Sequence, residues 1–114
     1  MYGWGVEHKP LRLTNALVEV AAALVEKHEE RHWGYELAKR TNVKPNALYG
    51  VLTRLHERDW LSDGWEEVPA EEKRPPRRYY QVTPLGLARL GALLAQASQD
   101  RRFARLYLRP GIAQ

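Results

Sequence analysis

A chain of 114 residues that is 44% hydrophobic and 28% charged has the length and composition of one globular domain, with disorder expected only at its ends. The absence of cysteine excludes disulfides and thiolate metal sites. No apolar run approaches the roughly 20 residues that span a bilayer. Met1 leads into Tyr2-Gly3-Trp4 and not into a basic, then apolar leader, so no signal peptide and a cytoplasmic location are expected. The net charge of +4 favours an anionic partner. Residues 32–83 nevertheless carry nine Lys/Arg against eight Asp/Glu, so a nucleic-acid site there must come from local clustering.

Residues 1–13 lack periodicity and read as an N-terminal arm. Leu17, Val20, Ala21, Leu24, Val25 and His28 follow helical spacing and predict a first helix over about 14–32, capped by Thr14 or Asn15. Gly34 is read as its stop. A short second helix follows from Tyr35 to about Arg40, and Thr41-Asn42 signals a turn. Pro45 suits a first helical position and opens a third helix to about Arg58, with Leu48, Val51, Leu52 and Leu55 on one stripe. Trp60 to Val68 and Arg77 to Thr83 read as two strands of a hairpin, joined by a loop that Pro69, Pro75 and Pro76 keep out of the sheet. Thr83-Pro84 then caps a last helix to about Leu106. The reading is mostly α with a small β-hairpin: a winged helix-turn-helix over 14–83, a long C-terminal dimerisation helix over 84–107, and a tail over 108–114.

His28-Glu29-Glu30-Arg31-His32 matches the H-E-x-x-H zinc pattern, which places two imidazoles on one face of a helix. A third ligand is missing and a helix stop follows at Gly34, so the match is expected to be accidental. A zinc hydrolase is the remote alternative, and no metal or cofactor is expected. Ser62 and Ser98 lie in no nucleophile elbow, and there is no phosphate-cradling glycine loop. Gly86 and Gly91 inside the last helix suggest close helix packing. The chain does not read as an enzyme.

A short helix, a tight turn and a second helix make a helix-turn-helix, whose second helix enters the major groove of DNA. Lys44, Asn46, Tyr49, Thr53 and Arg54 lie on the polar face of that helix, with Tyr35 opening the helix before it. An asparagine amide at Asn46 has the geometry to read adenine, while Tyr49 and Lys44 suit phosphates. Lys73, Arg74, Arg77 and Arg78 put four cations within six residues of the hairpin, a wing suited to the DNA backbone. The competing use of this fold is a protein-interaction module that reads no DNA. The near-neutral charge of 32–83 favours the module, and the wing cluster opposes it.

Three segments carry a resemblance. Trp33-Gly34-Tyr35-Glu36-Leu37, then Ala47-Leu48-Tyr49 with Leu52 and Leu55, then Arg78-Tyr79-Tyr80-Gln81-Val82-Thr83 followed by Gly86, resemble the PadR family of transcriptional regulators over about residues 14–106. The resemblance implies a winged-helix homodimer, built through its first and last helices and acting as a repressor on double-stranded DNA; the symmetry of such a dimer calls for an inverted-repeat operator. It also implies release by a small-molecule effector or stress. Leu17, Val20, Leu24, Leu87, Leu90, Leu94 and Ala97 are the dimerisation residues this suggests. Asn46 stands where the family often has glycine, Gly50 where proline often follows the tyrosine, and Trp60 where glycine is usual. Some short members bind flat drugs between tryptophans of the last helix. Here that helix offers only Phe103 and Tyr107.

Overall fold

Thr14 accepts a hydrogen bond from the Leu17 amide at 3.1 Å, and this cap opens α1, Asn15–Glu26. The computed structural model describes residues 9–103. Helix α1 is followed by β1 (His32–Trp33), α2 (Gly34–Thr41), α3 (Pro45–Glu57), β2 (Leu61–Trp65), β3 (Arg78–Val82) and α4 (Pro84–Ser98). A single 3-10 turn, Arg101–Phe103, ends the described chain. A family-style winged helix of four helices and a small sheet is therefore present.

Three boundaries differ from expectation. Helix α1 stops at Glu26, not near 32, because the polar run Lys27 to Glu30 turns and the chain becomes extended at His32. Gly34 opens α2 instead of ending α1. Helix α4 ends at Ser98, short of 106: the Asp100 carboxylate takes the Arg102 amide at 2.9 Å and starts a new turn there. Tyr107 and the remainder of the expected last helix lie outside the described residues.

The expected two-stranded hairpin is a three-stranded antiparallel sheet in the order β1-β3-β2. His32 pairs with Tyr80 and Trp33 with Tyr79, while β2 runs from Leu61 opposite Val82 to Trp65 opposite Arg78. One core holds these elements together. Leu24, Leu37, Leu48, Leu52, Leu55, Leu61 and Leu90 are fully buried and come from α1, α2, α3, β2 and α4. Each buried leucine contributes roughly 1.5–3 kcal/mol by leaving water. Asn42, at φ 60°, takes the left-handed turn between α2 and α3 that an asparagine tolerates. The Thr41 hydroxyl donates to the Leu37 carbonyl at 2.6 Å and accepts from the Val43 amide at 3.3 Å, which fixes the same turn.

The core also reassigns part of the expected dimer seam. Leu17, Val20, Leu24, Leu90 and Ala97 are at most 4% exposed within a single chain, so the chain itself covers them. Leu87 and Leu94 are half-buried. The off-stripe Leu93 is buried instead.

Candidate nucleic-acid interface

Helix α3 buries Leu48, Val51, Leu52 and Leu55, and this sets what its opposite face presents. At 100° per residue, Asn46, Tyr49 and Thr53 share that outer face, and all three are exposed. Lys44 is the N-cap residue, exposed at the helix entrance. None of these four side chains forms a hydrogen bond or ion pair within the described residues. Arg54 is exposed too, but it turns to the flank of α3, beside Lys9 and Arg12.

The family-type motif segments meet in space. The Tyr49 ring lies over Gly34, where a Cβ would overlap the phenol, so glycine at the start of α2 allows that tyrosine to settle there. The next residue, Tyr35, is 45% exposed and carries the Arg77 guanidinium over its ring at 4.9 Å. Tyr49 of α3, Tyr35 of α2 and Arg77 at the loop end of the wing thus lie along one surface, with Asn46 on the same face of α3 as Tyr49. Gly86 meets the chain differently: a Cβ there would run into the Trp60 carbonyl, which accepts from the Thr83 amide at 3.1 Å. The Thr83 hydroxyl donates to the Asp59 carbonyl at 2.7 Å and accepts from Gly86, tying the wing root to the end of α3. Asp59 supplies the left-handed residue of that corner, with φ 61°, ahead of Trp60. A Cβ at Gly91 would touch nothing within 4 Å, so the packing reading holds for Gly86 alone.

The wing's four cations are not equivalent. Arg74 pairs with Glu66, and Arg78 donates to Asp63 at 2.8 Å. Asp63 also accepts from His56 of α3 at 3.0 Å. Partial burial pushes the Asp63 carboxyl up, but hydrogen bonds from Arg78 and His56 together outweigh it and hold the group below its ordinary range. The Arg74 guanidinium holds Glu66 down in the same way, helped by the Arg77 amide. Lys73 makes no ion pair among the described residues; the Arg77 guanidinium is stacked on Tyr35 and forms none either, although its charge helps to hold Glu66 down. Half of the expected cationic patch is therefore consumed inside the wing. The register explains the Arg78 pair: Asp63 and Trp65 share a sheet face with Arg78 and Tyr80, a cross-strand pairing that charge counting along the sequence misses.

Strand β1 was the other missed feature. Its Trp33 meets Tyr79 edge-on with centroids 5.3 Å apart, and Arg31 sits 4.2 Å above the same Tyr79 ring. Two residues are too few to show a period in sequence, although the aromatic pair was a signal. His32 is fully buried there, and its Nε2 donates to the Lys27 carbonyl at 2.9 Å. Burial, against that hydrogen bond, holds its imidazole below the ordinary value of 6.5. His28 lies in the turn after α1, so the two histidines do not share a helix face. Among the described residues no three potential ligands cluster around a metal position.

Comparison with known proteins agrees with this fold. A family model described as the transcriptional regulator PadR-like family matches residues 22–92. A solved PadR-like transcription factor from Bacteroides fragilis is 27% identical, covering 80% of this chain and 89% of that one, with a TM-score of 0.59. A PadR family regulator from Eggerthella lenta shares the fold at 24% identity and a TM-score of 0.61, over 85% of this chain and 87% of that one. An uncharacterised protein of Lysinibacillus sphaericus is 28% identical over 88 residues, 70% of this chain and 78% of its own length. Among the described residues no helix is long and apolar enough to cross a membrane.

Proposed function

The chain belongs to the PadR-like family of transcriptional regulators, DNA-binding proteins and not enzymes, and on that premise we propose a homodimeric, sequence-specific repressor. In this reading α3 enters the major groove, Asn46 reads a base, and Lys44, Tyr49, Thr53 and Tyr35 position the helix on base edges and phosphates. Lys73 and Arg77 supply the wing's phosphate contacts, with Arg74 and Arg78 holding the wing in shape. One observation carries the proposal: the exposed, unpaired polar face of α3 continues through Tyr49 on Gly34 to Tyr35 and Arg77. Selection of bound duplexes from a random pool tests it. An inverted repeat with half-sites about one helical turn apart should emerge; a pool that never enriches would favour the interaction module.

The dimer is proposed through the outer face of α4. Leu85, Ala88, Ala92 and Ala95 are exposed at helical spacing opposite the buried Gly86, Leu90, Leu93 and Ala97. Sedimentation should give twice the 13.2 kDa chain mass. Ala92→Asp adds a charge to this face without touching the core, and should give a folded monomer. An unchanged dimer in that variant would place the seam elsewhere.

A further inference from the structure

A groove of about 580 Å³ runs between the irregular segment 9–13 and the flank of α3. Arg58 clips its walls together, donating to the Lys9 carbonyl at 2.7 Å and to the Arg54 carbonyl at 2.9 Å. The side chains of Lys9, Arg12 and Arg54 line the opening, are exposed, and have no hydrogen-bond or ion-pair partner among the described residues. Glu57 is the one carboxylate there, and it forms no ion pair with any of them. Beneath the charges, Leu17 and Val51 supply an apolar floor.

Three unpaired cations around one acid call for a ligand with more than one negative charge, and guanidinium forks suit the oxygens of a phosphate. The floor calls for an apolar body, and the volume lies within the roughly 300–1,000 Å³ of small-molecule sites. We propose that this groove binds a small organic phosphate monoester, its dianionic head among Lys9, Arg12 and Arg54 and its body on Leu17 and Val51. A ligand there lies against the flank of α3, where its charge would oppose that of DNA.

Calorimetric titration of the full chain at low salt tests the site on the protein alone, so the result stands apart from the DNA reading. Phenyl phosphate should bind at least ten-fold more tightly than inorganic phosphate, which lacks the body, and than benzoate, which lacks the second charge. Arg12→Ala and Lys9→Ala, both at exposed positions, should each weaken phenyl phosphate several-fold. Arg89→Ala, which removes the same charge from the exposed side of α4, should leave it unchanged. Equal, weak binding of all three probes, insensitive to Arg12, would overturn the proposal. So would an Arg12→Ala variant that loses affinity for DNA while phenyl phosphate never binds, because the groove would then be a stretch of backbone contact.

Discussion

Helix α3 and the wing carry similar numbers of polar and cationic side chains and use them in opposite ways. On α3, Lys44, Asn46, Tyr49 and Thr53 are exposed and have no hydrogen-bond or ion-pair partner among the described residues. On the wing, two of four cations already hold carboxylates, and one of those carboxylates is shared with His56 of α3. An unsatisfied, exposed polar face is free to exchange water for a partner, whereas a paired arginine must first give up its own acid. Charge counting along a sequence therefore overstates a wing and understates a recognition helix. Position on a face, and the register of the opposing strand, decide what is available.

The sharpest way to break this division is at the joint between the two regions. Gly86→Ala drives a Cβ into the Trp60 backbone, which cannot swing aside as a side chain would. Denaturant unfolding should show a loss of about 3 kcal/mol, at the upper end for overpacking. A neutral Gly86→Ala would mean that the wing root is not fixed by this contact. Asn46→Ala comes next. It should cost about 1–3 kcal/mol on the selected duplex and almost nothing on a scrambled one. Equal losses on both would make Asn46 a general anchor and not a reader. Arg78→Ala is the smallest. Its partner Asp63 is partly exposed, so the stability loss should stay under about 1 kcal/mol, read again by denaturant.

Acid should expose the same contrast through stability. His32 titrates below its ordinary 6.5 in the fold, so the unfolded chain takes the proton first. Its contribution is complete above 6.5 and is lost as pH falls from there toward the folded value. Asp63 and Glu66 are held below their ordinary values of 3.8 and 4.5, so their contributions persist to lower pH and vanish as pH falls through the folded ones. Unfolding measured from pH 7.5 down to 5.5 should show a decline that His32→Leu removes. A decline that survives in His32→Leu would assign it elsewhere.

Much of this was legible in the residues. Pro45 and the stripe from Leu48 to Leu55 mark α3 almost to its observed ends, because a cap and a period are local properties. Thr83-Pro84 marks the start of α4 for the same reason. The errors share a cause, which is tertiary. His28 to His32 keeps helical spacing on paper, yet β3 recruits His32 and Trp33 as a strand. The stripe Leu87, Leu90, Leu94 and Ala97 reads as a seam between chains, yet Leu90 and Ala97 are buried inside one. In the site, the polar face of α3 was readable from spacing alone. The pairing of Arg74 and Arg78 was not, since it needs the fold of the 66–77 loop and the strand register.

If free side chains meet DNA and paired ones shape the wing, as proposed, salt dependence separates the two most directly. Affinity for the selected duplex should be followed against salt for the unmodified chain, for Lys73→Ala with Arg77→Ala, and for Arg74→Ala with Arg78→Ala. Each phosphate contact removed lowers the slope of log affinity against log salt by about 0.9, so the first pair should lower it by about 1.8. The second pair should change the slope by much less while lowering the unfolding midpoint. Equal falls in slope for both pairs, or a larger fall for Arg74 and Arg78, would contradict the account.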